Sequence, residues 1–375
     1  MINYKNIIFD TFNKDVWHTL KDSNLPILIY GMGNGADKII SVFERYGIEF
    51  SDVFASDGFV RGHSYKGKTV ISYSQACEKY KDGFDIVVSF GSKLPDVIEK
   101  IYSLEEKHRV YSPDVEVCGN ELFCEEFFDA HIEELYNARQ MLADETSKNV
   151  FDNIIRYKLT GKLCYLKATA FEESECDSIL NLDKYTSYLD LGAYNGDTIR
   201  KYKNLCKNLR EVYAFEPDRR NFKKLLAYCE QINDIKITPL NCAAYSRDTV
   251  LTFASSGNRN STAIANGSFE HKTTNIDAKA PDSVLKNVDF IKYDVEGLEY
   301  EALIGSKKLI NSCMPDLLVS MYHKSEDLFK LPLLIKKLCP EYSLYLRRLP
   351  YIPAWDLNLY AIKKWKANRL SFLFN

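Results

Sequence analysis

The chain has no excess of charge of either sign: 49 basic residues face 52 acidic ones over 375 positions, a net charge of −3. A nucleic-acid partner, which calls for a basic stripe, is therefore not expected. No apolar run approaches the roughly 20 residues of a membrane span. The first thirty residues carry Lys5, Asp10, Lys14, Asp15, Lys21 and Asp22, which leaves no secretory hydrophobic core, so a cytoplasmic protein is expected. The ten cysteines form no Cys-x-x-Cys pair and no Cys/His cluster with metal spacing, and Cys118 and Cys124 are too far apart for a knuckle. They read as small buried thiols in a reducing compartment. Internal repeats and low-complexity tracts are also missing. A hydrophobic fraction of 46% and a charged fraction of 27% are those of an ordinary globular chain. Its length exceeds the roughly 250–300 residues of one core, so two domains are expected.

The most informative stretch is Tyr188-Leu-Asp190-Leu-Gly192-Ala-Tyr194-Asn195-Gly196-Asp197-Thr198, a buried strand breaking into a glycine turn and then a helix. Gly192 and Gly196 would let the backbone approach a ligand, and Asp190 sets a carboxylate at the strand's C-terminal edge. After a second strand, Val212 to Phe215, comes Glu216, placed to accept both hydroxyls of a ribose. This turn should hold a nucleoside cofactor.

Taken in order, residues 1–24 read as a helix carrying Phe9, Phe12, Val16, Trp17 and Leu20. The strand Pro26 to Tyr30 then opens into Gly31-Met-Gly33-Asn-Gly35-Ala36 and a helix, which fits the dinucleotide pattern, with Asp57 as the acid that follows the next strand. Further strands at Thr69–Ile71 and Asp85–Phe90 precede a chain that turns helical soon after Val110, too short for a complete two-halved dinucleotide fold. Gly31, Gly33, Gly35, Ala36 and Asp57 are candidate nucleotide contacts, and a structural module is the alternative. This unit resembles the N-terminal nucleotide-sugar domain of bacterial sugar acetyltransferases. Residues 1–115 are assigned to it, 116–182 to a helical connector with a solvated acidic face from Glu121 to Glu134, and 183–375 to a larger α/β domain.

In that last part strands are read at 188–191, 212–215, 237–241, 290–293, 317–321, 343–347 and 357–362. They give a doubly wound α/β sheet of seven strands with the last antiparallel, because the 348–356 connection is too short for a parallel crossover. That is the class I methyltransferase pattern. Leu189-Asp-Leu-Gly-Ala-Tyr-Asn-Gly-Asp-Thr198, Ala214-Phe-Glu-Pro-Asp218 and Val288-Asp-Phe-Ile-Lys-Tyr-Asp-Val-Glu-Gly-Leu-Glu299 carry a further likeness. Over roughly residues 140–365 the chain resembles the FkbM family of S-adenosylmethionine-dependent methyltransferases. Tyr322-His323 also looks like a family feature.

The resemblance implies O-methylation of a hydroxyl, on a sugar or surface-glycan precursor, nucleotide-linked or lipid-linked. It implies that S-adenosylmethionine is held by Asp190, Gly192, Ala193, Tyr194, Asn195, Gly196, Thr198, Glu216 and Pro217, with Asn241 and Ala243 near the adenine. Lys292, Asp294 and Glu296 alternate on one face of a strand and its exit, at the edge where open α/β sheets bind ligands. With His323 they are the candidate catalytic residues, and histidine has the pKa nearest neutrality for taking a hydroxyl proton. Asp294, Glu296 and His323 could also offer ligands to a magnesium-like ion, but nothing in their spacing fixes a geometry, and no metal site is assigned. Two rival readings stand beside this one: a nicotinamide-dependent oxidoreductase or sugar-modifying enzyme using the first domain, and a non-catalytic nucleotide-binding module. The loop 255–262 has the composition of an active-site flap or a plain hairpin connection. The tail 363–374, with four cations and no acid, could touch an anionic membrane, a lipid-linked glycan or a neighbouring subunit. The acceptor and the oligomeric state are not encoded in any motif.

Overall fold

The computed structural model describes residues 2–254 and 273–363. The flap-like loop 255–262 and the tail from 364 onward lie outside the described residues. Among the described residues no helix is long and apolar enough to cross a membrane. All ten cysteines are free thiols, five of them buried.

Two parallel-type sheets carry the chain. The first has five strands in the spatial order Ile71–Ser72, Asp52–Ala55, Ile27–Tyr30, Asp85–Val88, Arg109–Tyr111, every neighbouring pair parallel. The three-residue strand Arg109–Tyr111 replaces the helical onset expected there, being too short to show a period of its own. The second has seven strands in the order Lys236–Leu240, Glu211–Phe215, Ser187–Leu191, Phe290–Tyr293, Asp316–Ser320, Leu357–Lys363, Tyr342–Arg348. Its last strand in the chain runs antiparallel to both neighbours, as the short connection requires. A separate three-stranded sheet of Ala243–Ala244, Thr273–Lys279 and Thr249–Ala254, absent from the expected strands, follows the edge strand Lys236–Leu240 in the chain.

The single helix expected over residues 1–24 is two, Ile2–Ile8 and Val16–Lys21. Asp15 starts the second by accepting from the His18 amide, which satisfies an N–H that has no partner within the helix. The connector is helical, and its longest element, Glu145–Thr160, starts on Asp144, which caps Ser147 N at 2.6 Å, and ends on left-handed Gly161. This helix buries Ile154 and Ile155 in a core that runs without interruption from Tyr4, Leu28 and Ile86 to Leu344 and Leu346. Tyr4 reinforces that junction by donating to Asp152 at 3.0 Å, a carboxylate also gripped by Arg139 at 2.8 Å. The two sheets are thus welded through the helices between them.

Candidate active site

Both sheets reverse their winding direction between the first and fourth strand of their unit, and ligand crevices in open sheets form at that reversal. In the seven-stranded sheet it lies between Ser187–Leu191 and Phe290–Tyr293. Gly192 has φ +90°, and a β-carbon there would stand 1.9 Å from the carbonyl oxygen of Asp294. One at Gly196 would stand 2.5 Å from the Tyr228 ring. The missing side chains thus make room for the protein's own backbone and ring. Asp294 N donates to Leu191 O at 3.0 Å and locks the two exits together.

Around this turn the polar groups are aimed inward. Glu216 accepts from Tyr194 N and Asp218 N, each at 2.8 Å, and is only 5% exposed; burial pushes its carboxyl up to about 7 despite the two amides. Each oxygen still has a free lone pair for a hydroxyl. Thr198 Oγ1 donates to Asp190 Oδ2 at 2.8 Å, whereas Asp190 Oδ1 and Asn195 Oδ1 are buried without a hydrogen-bond partner among the described residues. Asn241 spends its amide on the carbonyls of Glu216 and Pro217, at 2.8 and 3.2 Å, so it holds the second turn in shape. Ala193 and Ala243 are buried beside it. Buried acceptors left open at a reversal point suit a ligand that brings hydroxyls and a cationic group.

Next to the turn sits an ionic cluster. Lys292 Nζ lies 3.5 Å from Asp190 Oδ1 and 3.3 Å from Asp294 Oδ2 and donates to Gly192 O at 3.3 Å. Its burial alone would lower its pKa, but the Asp294 and Asp190 carboxylates outweigh that and hold it raised. His323, at the exit of the Asp316–Ser320 strand, is completely buried. Its Nδ1 is 2.9 Å from Glu299 Oε1, and its Nε2 is 3.7 Å from both Asp294 Oδ1 and Glu296 Oε2. Burial would lower the imidazole's pKa, yet Glu299 first, then Asp294 and Glu296, lift it to about 10. Ringed by carboxylates, the imidazole is held well above the pKa of an isolated histidine, which favours its protonated form as long as no cation is bound at Nε2. Glu296 is the open member, its side chain 44% exposed, on a backbone at φ +52°. A non-glycine residue held there is strained, a condition that concentrates at functional sites.

Sequence reasoning gave no role to Glu299, although it closes the third motif. It starts the helix Glu299–Gly305, is fully buried, and accepts from Val295 N at 2.9 Å while facing the imidazole. The signal available was its spacing, three residues after Glu296 across a glycine. Tyr322, whose hydroxyl donates to Asp294 Oδ1 at 3.3 Å, and Asp327, fully buried and pushed up to about 8, also border the cluster.

The first sheet closes over this edge. Ser92 and Ile352 exchange backbone hydrogen bonds of 2.8 and 3.0 Å, and Gly91 lies so close to the Trp355 ring that a β-carbon would meet it at 2.6 Å. Cys118 N donates to His323 O at 3.0 Å, and Ser325 N to Glu116 Oε1 at 2.7 Å. At the first sheet's own reversal a β-carbon on Gly35 would meet Ser89 O at 2.2 Å, and one on Gly31 the Phe90 ring at 2.5 Å. Ala36 is buried in the following helix, and Gly33 faces open space. The Asp57 carboxylate accepts from Ser74 N at 3.0 Å and Ser74 Oγ at 2.8 Å, so both its oxygens are engaged in starting the helix Tyr73–Lys79.

This geometry has counterparts among known proteins. Residues 190–352 match the model of the methyltransferase FkbM domain. The crystal structure of methyltransferase FkbM from Methylobacillus flagellatus KT superposes with a TM-score of 0.70 at 20% identity, covering 96% of this chain and 93% of that one. Aeropyrum pernix fibrillarin, solved with natively bound S-adenosyl-L-methionine, gives 0.32 at 14% identity over 49% of this chain and 69% of its own. A SAM-dependent methyltransferase from Aquifex aeolicus gives 0.33 at 10% identity over 61% and 98%. No curated protein matches the sequence.

Proposed function

For a chain that matches the FkbM methyltransferase domain over residues 190–352 and shares that fold over 96% of its length, we propose O-methylation of a hydroxyl on a sugar or glycan precursor. The observation that carries the reading is the adjacency of the inward-facing turn and the ionic cluster, joined where Asp294 N meets Leu191 O at 3.0 Å. S-adenosylmethionine fits the turn: Glu216 would accept the ribose hydroxyls, while Asn195 Oδ1, buried without a hydrogen-bond partner among the described residues, and Asp190 Oδ1, beside Lys292 at 3.5 Å, are acceptors left for the rest of the ligand. Bound there, it supplies an electrophilic methyl group.

The chain's own residues do the remainder. Methyl transfer to oxygen is gained mainly by holding the hydroxyl in line, which asks for a closed crevice with fixed walls. The Ser92–Ile352 bridge and the packing of Gly91 on Trp355 bring the first sheet's C-terminal edge over the cluster, so the acceptor would lie between the two sheets. His323, its side chain 1% exposed and its Nδ1 2.9 Å from Glu299 Oε1, is a positioning group. Glu296, open to the crevice, takes the hydroxyl's proton.

Thermal-shift and calorimetric titration should show stabilisation by S-adenosylhomocysteine and none by NAD(H) or NADP(H). Glu296→Gln should then lose roughly 10²–10⁴ in methyl-transfer rate on glycan acceptors while binding S-adenosylhomocysteine as the wild type does. Stabilisation by a nicotinamide cofactor alone would sink the reading.

A further inference from the structure

We propose that His323, Asp294 and Glu296 form a binding site for a divalent cation of the Mn²⁺ kind, with Glu299 holding the imidazole in place. The reading above is needed only for the ion's use in the reaction, not for its binding. His323 Nε2 is buried and has no hydrogen-bond partner among the described residues. It lies 3.7 Å from Asp294 Oδ1 and 3.7 Å from Glu296 Oε2. That is too long for a hydrogen bond. It is close to the roughly 3.0–3.6 Å that separates two donors sharing one ion at about 2.1–2.2 Å from each.

The surroundings fit the same site. Asp294, Glu299 and His323 offer ligand atoms within 4.8 Å of one another, and Glu296, outside that group, adds its Oε2 at 3.7 Å from His323 Nε2. Glu299 Oε1, 2.9 Å behind the ring at Nδ1, stands where carboxylates orient metal-binding imidazoles. Asp294 and Glu296 would balance the ion's charge, while Lys292 stays on the other Asp294 oxygen at 3.3 Å. The Tyr322 hydroxyl reaches Asp294 Oδ1 only across 3.3 Å, a long bond that can yield to an ion. One imidazole with two carboxylates suits Mn²⁺ or Mg²⁺ rather than a soft metal, and the incoming cation would displace the Nε2 proton that the carboxylates otherwise hold. The Asp294 and Glu296 side chains are 32% and 44% exposed, so the open coordination positions face the crevice. An acceptor hydroxyl can enter one of them, and Glu296, bound through Oε2, keeps Oε1 to receive its proton.

The test is titration of the full chain with Mn²⁺, followed by calorimetry and by loss of the free ion's EPR signal, with S-adenosylhomocysteine binding as the check on folding. One ion per chain is expected, with affinity at least tenfold weaker in His323→Gln and Glu296→Gln and roughly 10- to 100-fold weaker in Glu299→Gln. No uptake up to about 1 mM, the weak end of protein cation sites, would overturn the proposal. So would uptake that all three variants retain. If His323→Gln does not fold, Glu296→Gln decides alone, since it alters an open side chain. Ion uptake by a wild type that ignores S-adenosylhomocysteine would leave the site standing and remove the methyltransferase reading.

Discussion

The molecule contains the same backbone device twice. At each sheet's reversal point a glycine turn follows the first strand and is pinched against the exit of the fourth, Gly35 on Ser89 O and Gly192 on Asp294 O. Around them the polar atoms differ. In the first sheet Asp57 has both oxygens bound by Ser74, and Asp37, in the turn's helix, accepts from Tyr65 at 2.7 Å and pairs with Lys66 at 3.1 Å. In the second, Asn195 Oδ1 is buried with no hydrogen-bond partner among the described residues, Asp190 Oδ1 has only the Lys292 ammonium at 3.5 Å, and Glu216 is held on two amides. Glycine spacing therefore reports a fold, and the chemistry depends on which polar groups the fold gathers around the turn.

The largest expected effect concerns the glycines themselves. Gly192→Ala places a β-carbon 1.9 Å from a backbone oxygen that cannot swing away, and should destabilise the chain by about 4 kcal/mol or more. Gly33→Ala meets nothing within 4 Å. Its cost is only the strain of φ 103°, ψ −158°, about 1–3 kcal/mol. Urea unfolding of both variants would measure the gap; equal losses would mean that conformation rather than contact requires the glycines.

The next effect separates the two acids that follow the turns. Glu216→Ala should weaken S-adenosylhomocysteine at least tenfold, through loss of charge-assisted hydrogen bonds worth roughly 1.5–3 kcal/mol. Asp57→Ala should leave that affinity unchanged, because its carboxylate serves the start of the Tyr73–Lys79 helix. Calorimetry on the two variants tests both statements, and an unchanged Glu216→Ala would remove that residue from the site.

These contrasts also mark what the sequence could say. The strands of the seven-stranded sheet, all but Arg109–Tyr111 of the first sheet, the antiparallel final strand and the Lys292/Asp294/Glu296 face follow from periods and spacings that are local. The partners are not local. Nothing in the Gly192 turn announces that its neighbour is Asp294 O, and nothing at Asp57 announces Ser74. His323 looked like a neutral base because an isolated imidazole is one. Its three carboxylates arrive from the Phe290–Tyr293 exit and the helix that follows, and only the folded sheet sets them around the ring. The small sheet at 243–279 escaped notice because its first strand is two residues long.

The smallest effect is one of pH. Burial raises the Glu216 carboxyl from 4.5 to about 7, whereas Asp57 is held below its ordinary value by its bonds to Ser74. Above pH 7 Glu216 in the free protein is already ionised and can accept two hydroxyls, so cofactor affinity should be flat there. Below it the group carries a proton that must leave before both oxygens can accept. Affinity should then fall by up to about tenfold per pH unit. One proton should be released per ligand bound near pH 6 and none near pH 8. Calorimetry in two buffers of different ionisation enthalpy counts that proton directly. Equal affinity at both pH values, with no proton released, would mean that Glu216 is ionised throughout and that the backbone amides of Tyr194 and Asp218 outweigh its burial.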